Sequence, residues 1–332
     1  MRTSFRRGAV LGFVFGSVLL LAGCAAPSVL APQGPAAERI AGLWWIMFGL
    51  AGAIYGAVVA LLLIGLFRRR RVEPDSERPP SEGQVWILGG GVVLPTAILS
   101  LLFVLTLGTM AALAAPPSDA LTVEMLGHQW WWEVRYPDAQ VTTANELHIP
   151  AGRPVRLLLT SADVIHSFWV PELHGKMDLV PGRPNTFWIE ARRPGIYRGQ
   201  CAEYCGYQHA KMAFLVIAEP PDQFAAWLET QRRPAPTLAD PLVQQGQQVF
   251  LGSSCRLCHT IRDTVAATTS GPDLTHLADR RTIAAGTLEN TRENLANWIR
   301  NPQAIKPGNR MPPPDLTAEE LQALVAYLES LE

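Results

Sequence analysis

The sequence predicts a multi-domain membrane protein, with a two-helix transmembrane hairpin followed by an all-β domain and then an all-α domain. Two long uncharged apolar segments lie in the first part of the 332 residues, short β-branched and aromatic runs follow, and the last part has helical patterns. Hydrophobic residues make up 48% of the chain, which fits a membrane anchor, and the formal net charge of −1 gives no reason to expect a nucleic-acid partner.

Residues 1–23 have the pattern of an export signal. Arg2, Arg6 and Arg7 precede an apolar run that is too short to cross a bilayer comfortably. The run ends in Leu-Ala-Gly before Cys24, which resembles the cleavage site of bacterial lipoproteins. That resemblance implies that the signal is removed and that Cys24 receives a lipid. A plain signal with an incidental cysteine is the alternative.

Two apolar segments predict the hairpin. Residues 43–67 and 85–115 contain no charged residue, and each is long enough to cross a bilayer. Four arginines follow the first segment directly, and short loops with excess arginine stay in the cytoplasm. We therefore expect residues 68–84 inside the cell, and both the segment 24–42 and everything after residue 115 outside it.

Residues 117–220 are predicted to form the all-β domain. Short β-branched and aromatic runs alternate with Pro and Gly, which is typical of an antiparallel sandwich or barrel. About a hundred residues suffice for one such domain. The runs with strand character are residues 121–125, 130–136, 155–160, 186–191, 196–199 and 213–218.

Residues 239–332 are predicted to form the all-α domain, after a proline-containing linker at residues 221–238. The last helix has a recognisable start, because Thr317 and Glu320 form the pattern of a capping box. Four aliphatic residues then fall on one helical face: Leu321, Leu324, Val325 and Leu328.

One short loop of the all-β domain combines four side chains that bind soft metals. Cys201, Cys205, His209 and Met212 offer two thiols, an imidazole and a thioether, a set that suits copper. A mononuclear blue-copper site uses one Cys, two His and a long axial Met. The second thiol is one more than that site needs, so the residues favour a dinuclear copper site with both thiolates as bridges.

Other interpretations of this loop stay open. The two cysteines could form a disulfide in an oxidising compartment, or they could bind structural zinc with His209 and another histidine. The second imidazole of a copper site must come from upstream of the loop. Spacing alone leaves both His166 and His174 as candidates.

The all-α domain contains the attachment motif of a c-type haem. Cys255-Arg-Leu-Cys258-His259 supplies two thioether links and one axial histidine. A redox-active dithiol is the alternative. Met311 is the only methionine after this motif, which makes it the expected sixth ligand, and His276 is the second candidate. Ligation by Met and His raises the haem potential, as an electron carrier needs.

Several of these segments resemble subunit II of cytochrome c oxidase, over roughly residues 43–219. The resemblance lies in the hairpin and in the segments GHQWWW at 127–132, HSFWVP at 166–171, VPGR at 180–183 and CAEYC at 201–205. It implies a cupredoxin-fold Greek-key barrel with the dinuclear Cu(A) centre. The C-terminal domain resembles class I cytochrome c through Gly246, Phe250 and the Gly271-Pro272 turn. Together these features indicate a subunit of a caa(3)-type haem–copper oxidase.

The resemblance also implies a ligand set. Of the two candidate histidines it selects His166 and leaves His174 with a surface or structural role. The implied copper ligands are the bridging thiolates of Cys201 and Cys205, the imidazoles of His166 and His209, the weakly bound Met212 sulfur and the backbone carbonyl of Glu203.

Three further roles come from the resemblance alone. The Glu203 side chain is expected to bind magnesium shared with subunit I, the alternative being a solvated loop carboxylate. Trp130 is expected to accept the incoming electron, while Trp131 and Trp132 are expected to pack in the fold. Glu82 is the candidate entrance of a proton path, and a solvated loop glutamate is an equal alternative.

These features predict the electron-accepting subunit of a terminal respiratory oxidase in the bacterial inner membrane, with both soluble domains on the outer face. A donor cytochrome c, or an upstream quinol-oxidising complex, would reduce haem c. Electrons would then pass to Cu(A) and to subunit I, where oxygen is reduced to water and protons are pumped. Subunit III and membrane lipid are further expected partners.

Two other functions stay open, and a third is disfavoured. A nitric oxide reductase could use the same copper subunit, and the chain could be a stand-alone membrane-anchored carrier. A quinol oxidase subunit is disfavoured, because that branch of the family lacks the copper ligands that are intact here.

Overall fold

The computed structural model describes residues 27–67, 81–114, 120–235 and 239–332. The predicted signal, the lipid site at Cys24 and most of the predicted cytoplasmic loop lie outside these ranges. Glu82 lies at the start of a helix, but its side chain is not among those described.

Two long apolar structures form the predicted hairpin. Helix α1, Pro35–Phe67, has 33 residues and a mean hydropathy of 2.4 in its most apolar stretch. The second begins with α2, Ser81–Leu88, passes through a π-helical turn at Gly89–Val93, and continues as α3, Leu94–Leu113. Its stretch from Gly83 to Leu113 has 31 residues and a mean hydropathy of 2.3. Both are long and apolar enough to cross a membrane, and most of their side chains are exposed, as contact with lipid requires.

Both apolar helical segments contact the all-β domain, and they do so at the same end of the hairpin. The first helix begins at Pro35, earlier than the predicted residue 43, and the Ala37 N–H donates to the Leu173 carbonyl at 3.2 Å. The indole of Trp188 donates to the Leu113 carbonyl at the end of α3, at 3.0 Å. The all-β domain is therefore fixed at the end of the hairpin opposite to Phe67 and Ser81.

The all-β domain is a sandwich of two five-stranded sheets. In chain order its strands are β1 Leu121–His128, β2 Trp131–Tyr136, β3 Val141–Ala144, β4 Glu146–Pro150, β5 Val155–Ser161, β6 His166–Trp169, β7 Met177–Leu179, β8 Asn185–Ile189, β9 Gly195–Cys201 and β10 Ala213–Glu219. The sheet orders are β3-β2-β1-β5-β8 and β4-β10-β9-β6-β7. The pairs β1 with β5 and β10 with β4 are parallel, and the other pairs are antiparallel.

The core of the sandwich lies between the inward faces of the two sheets. In β5 buried residues alternate with half-buried ones, as a strand with one face in the core requires. Three fully buried aromatic side chains fill the centre, and the ring of Trp132 lies 5.0 Å from that of Phe214 and 6.5 Å from that of Phe168. Phe168 lies in β6, so this packing supports the strand that begins with His166, a predicted copper ligand.

The linker prediction was wrong for most of its length. Helix α4, Pro221–Arg232, occupies residues predicted as linker, and Phe224 in it is buried against the sandwich. Trp227 stacks on His148 with ring centroids 3.9 Å apart. The helix was missed because its first residue, Pro221, follows another proline, whereas proline in the first turn is compatible with a helix.

The C-terminal domain is mostly helical, as predicted. It contains α5 Pro241–Gly252, a short hairpin of β11 Thr282–Ile283 and β12 Leu288–Glu289, then α6 Arg292–Arg300, α7 Pro302–Ile305 and α8 Ala318–Glu329. The capping box of α8 is present, because Thr317 and Glu320 each bind the other's backbone N–H. A Cβ on Gly246 would lie 2.0 Å from the Ala323 carbonyl oxygen, so only glycine allows α5 and α8 to pack this closely.

Candidate copper and haem sites

The predicted copper ligands converge on one spot. The Cys201 sulfur lies 3.8 Å from the Cys205 sulfur and 3.9 Å from His166 Nδ1. The Cys205 sulfur lies 3.7 Å from His209 Nδ1 and 3.8 Å from the Met212 sulfur. Each sulfur thus has its own imidazole, and the two sulfurs face each other, which fits two metal ions bridged by two thiolates.

The alternative of a disulfide is contradicted by the sulfur positions. The Cys201 and Cys205 sulfurs are 3.8 Å apart, whereas a disulfide bond is about 2.0 Å long. The facing Cys205 thiol and the His166 ring lower the pKa of Cys201 despite its burial. The thiolate is the form that binds metal, so the surroundings prepare this sulfur for coordination.

A carboxylate orients the buried imidazole. His166 Nε2 contacts Asp163 Oδ1 at 2.9 Å, which leaves Nδ1 directed at the Cys201 sulfur. Burial would raise the pKa of Asp163, but hydrogen bonds from His166 and from the backbone N–H groups of Gln129 and Val164 outweigh it and lower the pKa to about 2. A carboxylate behind a ligating histidine is the usual means of fixing its tautomer.

The backbone and the side chain of Glu203 make different contacts. Its backbone carbonyl lies 3.2 Å from the Cys201 sulfur, as a weak carbonyl ligand beside this thiolate would. Its half-buried side chain accepts a hydrogen bond from the Tyr204 N–H at 3.2 Å. Among the described residues, a group of three or more metal-binding side chains forms only at His166, Cys201 and Cys205, so a magnesium site at Glu203 would need ligands from another chain.

The three tryptophans take different positions. Trp130 is half-buried, and its indole N–H donates to the Cys205 carbonyl at 3.0 Å. Trp131 is buried and stacks on His128 at 4.2 Å, and Trp132 is fully buried in the core. As predicted, Trp131 and Trp132 pack in the fold, while Trp130 contacts the backbone of a predicted copper ligand.

His174 is buried and does not belong to the cluster of metal-binding side chains at Cys201 and Cys205, which indicates a structural role. It is 6% exposed and packs between Phe187 and Trp188, with ring centroids 4.3 Å and 5.5 Å away. Its Nδ1 accepts the Gly175 N–H at 2.7 Å. Burial lowers the pKa of His174 to about 4, so the ring is neutral at physiological pH.

The haem motif has the geometry that a proximal histidine needs. The ring of His259 contacts the Pro272 carbonyl through Nδ1 at 2.8 Å, which leaves Nε2 available for iron. A Cβ on Gly271 would lie 2.8 Å from the His259 ring, so this glycine is required for the turn to approach so closely. Cys255 and Cys258 are half-buried and free, as covalent attachment of a haem requires.

The two candidates for the sixth haem ligand differ in their contacts. The backbone of Met311 is held by Asn309, whose side chain accepts its N–H at 2.7 Å, and by Gln303, which donates to its carbonyl at 3.0 Å. His276 is 4% exposed, and its Nε2 lies 2.8 Å from the Arg262 guanidinium. These contacts engage His276 in packing and leave Met311 as the better candidate.

Sequence reasoning missed two residues that position the proposed copper ligands. One is Asp163, and the other is Gln129, whose side-chain amide donates to the Cys205 carbonyl at 2.8 Å. A signal for Asp163 existed, because an acid three residues before a predicted histidine ligand is well placed to orient it. Gln129 gave no such signal, since its contact joins residues 76 positions apart.

Comparison with known proteins agrees with both domains. The family described as cytochrome c oxidase subunit II, periplasmic domain, matches residues 139–219, and the cytochrome c family matches residues 243–332. Cytochrome c oxidase subunit 2 of Alkalihalophilus pseudofirmus is 38% identical over 325 residues, covering 95% of this chain and 94% of that protein. The chain belongs to the cytochrome c oxidase subunit 2 family. The member from Bacillus sp. strain PS3 is 34% identical over 344 residues, covering 96% of each chain.

Membership fixes the fold and the enzyme class. As a member of this family, the chain is a membrane-anchored part of a haem–copper oxidase, with a cupredoxin-like sandwich and a helical cytochrome c domain. The two domains imply copper and haem, and the enzyme implies a subunit I partner. The quinol oxidase subunit 2 of Bacillus subtilis is 31% identical over 229 residues, covering 67% of this chain and 71% of that protein.

Proposed function

We propose that this chain delivers electrons to an oxygen-reducing haem–copper oxidase. In this proposal, a donor cytochrome c or a quinol-oxidising complex reduces the cytochrome c domain, which reduces the copper domain. The copper domain then reduces subunit I, where oxygen becomes water and protons are pumped. The observation that carries this proposal is the convergence of two thiols and two imidazoles. The Cys201 and Cys205 sulfurs are 3.8 Å apart, and each lies within 3.9 Å of one imidazole nitrogen.

The proposed copper site is dinuclear. When bound, the copper pair and the haem each accept and release one electron at a time. The sulfurs of Cys201 and Cys205 are close enough to share two ions, and His166 and His209 face one sulfur each. Met212, beside the Cys205 sulfur, and the Glu203 carbonyl, beside the Cys201 sulfur, would complete the set as one weak ligand for each ion. A mononuclear site would leave one buried thiol without a role.

The proposed haem site uses Cys255 and Cys258 for covalent attachment and His259 and Met311 as axial ligands. The Pro272 carbonyl holds the His259 ring and so keeps Nε2 free for iron. Ligation by histidine and methionine raises the haem potential, which suits an electron carrier. With His259 and Met311 as axial ligands and the full set of copper ligands in use, neither site on this chain would offer a position for oxygen.

Trp130 is the proposed contact through which electrons reach the copper loop. Its indole N–H is hydrogen-bonded to the carbonyl of Cys205, so a single hydrogen bond joins the aromatic ring to a proposed copper ligand. The aromatic ring is half-buried, at the surface of the sandwich that meets the cytochrome c domain.

The membrane arrangement is proposed from the contacts of the hairpin. The all-β domain is fixed at the end of the hairpin opposite to Phe67, after which four arginines follow in the sequence, and the cytochrome c domain contacts the all-β domain. This supports an outer, periplasmic location for both soluble domains. A lipid on Cys24, magnesium at the Glu203 side chain shared with subunit I, a proton-path role for Glu82 and contact with subunit III are further parts of the proposal that need the whole enzyme.

Purification of the whole enzyme tests this function. The tagged chain should co-purify with a haem–copper subunit I, and the complex should consume oxygen when a reduced cytochrome is added. Purification of the chain alone would favour a stand-alone carrier, and reduction of nitric oxide in place of oxygen would favour a nitric oxide reductase.

A further inference from the structure

Each soluble domain buries one charged side chain against the backbone of the other. Glu146, at the start of β4 in the copper domain, is 2% exposed, and Lys306, in the cytochrome c domain, is 3% exposed. Neither residue belongs to the proposed copper or haem ligands. Burying a charge is unfavourable unless its hydrogen-bonding capacity is satisfied, so the contacts of both groups need an explanation.

Glu146 binds the beginning of a hairpin in the cytochrome c domain. Its Oε1 accepts hydrogen bonds from the backbone N–H groups of Arg281 at 2.8 Å and Thr282 at 2.9 Å. The Thr282 hydroxyl adds a longer contact at 3.3 Å. Three donors from the cytochrome c domain therefore converge on one oxygen of the copper domain.

Lys306 makes the reciprocal contact. Its Nζ donates to the carbonyls of Lys211 at 2.9 Å, Ala284 at 3.1 Å and Trp130 at 3.3 Å. An ammonium group has three N–H donors, and here each one has an acceptor. Burial, followed by repulsion from Lys211, lowers the pKa of Lys306 to about 7, and the three carbonyl acceptors favour its protonated form. Two of the three acceptors belong to the copper domain, one at Trp130 and one in the loop of proposed copper ligands.

A tight turn of the cytochrome c domain lies between these two contacts. Ala284 and Ala285 have φ angles of 54° and 56°, in the left-handed region that alanine rarely adopts. The Ala285 carbonyl accepts the Ala213 N–H at 3.1 Å, and Ala285 is buried in a cluster with Trp131 and Ala144 of the copper domain. Such a backbone persists where its surroundings specify it, and here part of the surroundings belongs to the other domain.

We propose that Glu146 and Lys306, with the backbone groups they bind, form an interdomain clasp that holds the cytochrome c domain in one register on the copper loop. The proposal rests on the function proposed above and assigns two positioning residues to it. Its consequence is that the electron passes between the two sites within a docked unit, without a search by a tethered domain.

In this register, the segment that contains Met311 contacts residues that position the proposed copper ligands. Arg310, next to Met311, hydrogen-bonds to the Gln129 side chain and has its Nη1 3.9 Å from Asp163 Oδ2. Asp163 in turn holds His166. We infer that the buried charges of Glu146 and Lys306 specify this register, since a shifted register would leave them unsatisfied.

The proposal is tested in the purified oxidase complex with Lys306→Met and Glu146→Leu. Each variant keeps side-chain bulk and removes the hydrogen bonds of the clasp. Lys176→Met and Glu293→Leu are the matched controls, because both residues are exposed and lie outside the hairpin that Glu146 binds. Two properties are measured: hydrogen–deuterium exchange of the Ala213, Arg281 and Thr282 amides, and the rate of electron transfer from haem to copper after rapid photoreduction, at about 50 mM and about 500 mM KCl.

In the wild type and both controls we expect slow exchange at these amides and one electron-transfer phase that does not depend on salt. In the clasp variants we expect exchange there at least about tenfold faster, with Leu324 in α8 unchanged. Electron transfer should become about tenfold slower and salt-dependent, because docking then limits it. If Lys306→Met does not retain haem, Glu146→Leu decides the outcome.

Clasp variants that match their controls in both measurements would overturn the clasp and leave the proposed function intact. A different result would overturn the proposed function itself: a wild-type complex that contains both haem and copper yet transfers no electron between them. The exchange measurement would still decide whether the clasp exists.

Discussion

The copper site and the haem site are held in place in different ways. In the copper domain the proposed ligands contact one another, with sulfur–sulfur and sulfur–nitrogen distances of 3.7 to 3.9 Å. In the cytochrome c domain each proposed axial ligand is held by its own surroundings: His259 by the Pro272 carbonyl, and Met311 by Gln303 and Asn309. The copper site should therefore respond to substitution as one unit, whereas the two haem ligands should be separable.

The largest expected effect comes from a comparison of two buried histidines of the copper domain, His166 and His174. His166→Ala should abolish the dinuclear copper signal, because the imidazole that faces Cys201 is removed. His174→Ala should keep its copper and lower the free energy of unfolding by about 2 kcal/mol, because the buried ring packs against Phe187 and Trp188 and not against the sulfurs. Copper content and denaturant unfolding measure the two effects. Copper loss from His174→Ala, with retention in His166→Ala, would reverse the assignment.

The next effect tests whether the haem ligands are separable. Met311→His should keep the covalent haem, since attachment depends on Cys255 and Cys258, and should lower its midpoint potential by on the order of 0.1 V. His276→Ala should leave the potential unchanged, because that ring contacts Arg262. A redox titration followed by haem absorbance measures both. A shift in His276→Ala and none in Met311→His would show that the sixth ligand is misassigned.

A smaller effect comes from two glycines that touch the ligand rings. A Cβ would lie 2.8 Å from the His166 ring at Gly127 and 2.8 Å from the His259 ring at Gly271. Gly127→Ala should weaken copper binding by about tenfold, because it displaces a ring that Asp163 also holds. Gly271→Ala should change the haem spectrum and leave copper affinity unchanged. Copper titration and visible spectroscopy of both variants measure these effects. A changed haem spectrum in Gly127→Ala, together with weaker copper binding in Gly271→Ala, would contradict the account.

The smallest effect is the pH dependence that His174 gives to the copper domain. Burial lowers its pKa to about 4, below the value of about 6.5 in an unfolded chain. Between these values the unfolded chain binds a proton that the folded chain does not, so stability is full above pH 6.5 and falls as the pH decreases. From pH 7.5 to 5.5 this should cost about 1 kcal/mol. His174→Phe should remove this part of the slope in unfolding experiments at the two pH values, and an unchanged slope would show that the ring is not buried as a neutral group.

The copper loop could be predicted from sequence because its cysteines, one histidine and the methionine lie within twelve consecutive residues. Six strands were recognised, whereas β3, β4, β6 and β7 were missed. These four have only three to five residues, too few to establish an alternating pattern. His166, which begins β6, was therefore selected by family resemblance and not by its place in a strand.

Contacts between the domains could not be predicted at all. Glu146 and Arg281 are 135 positions apart, and Lys306 and Trp130 are 176 apart. Periodicity describes which face of an element is buried, but it does not pair residues across such separations. A lysine in a Pro- and Gly-containing segment resembles a solvated loop residue until the three carbonyls around it are known.

The central claim is that Cys201 and Cys205 bridge two copper ions beside one covalent haem. The most direct test is the copper-to-iron ratio of the soluble part, from residue 117 onward, matured with haem and copper, together with its electron spin resonance spectrum. We predict two copper ions for each iron and one unpaired electron shared equally by both copper nuclei. One copper for each iron with a mononuclear spectrum, or zinc in its place, would contradict the account.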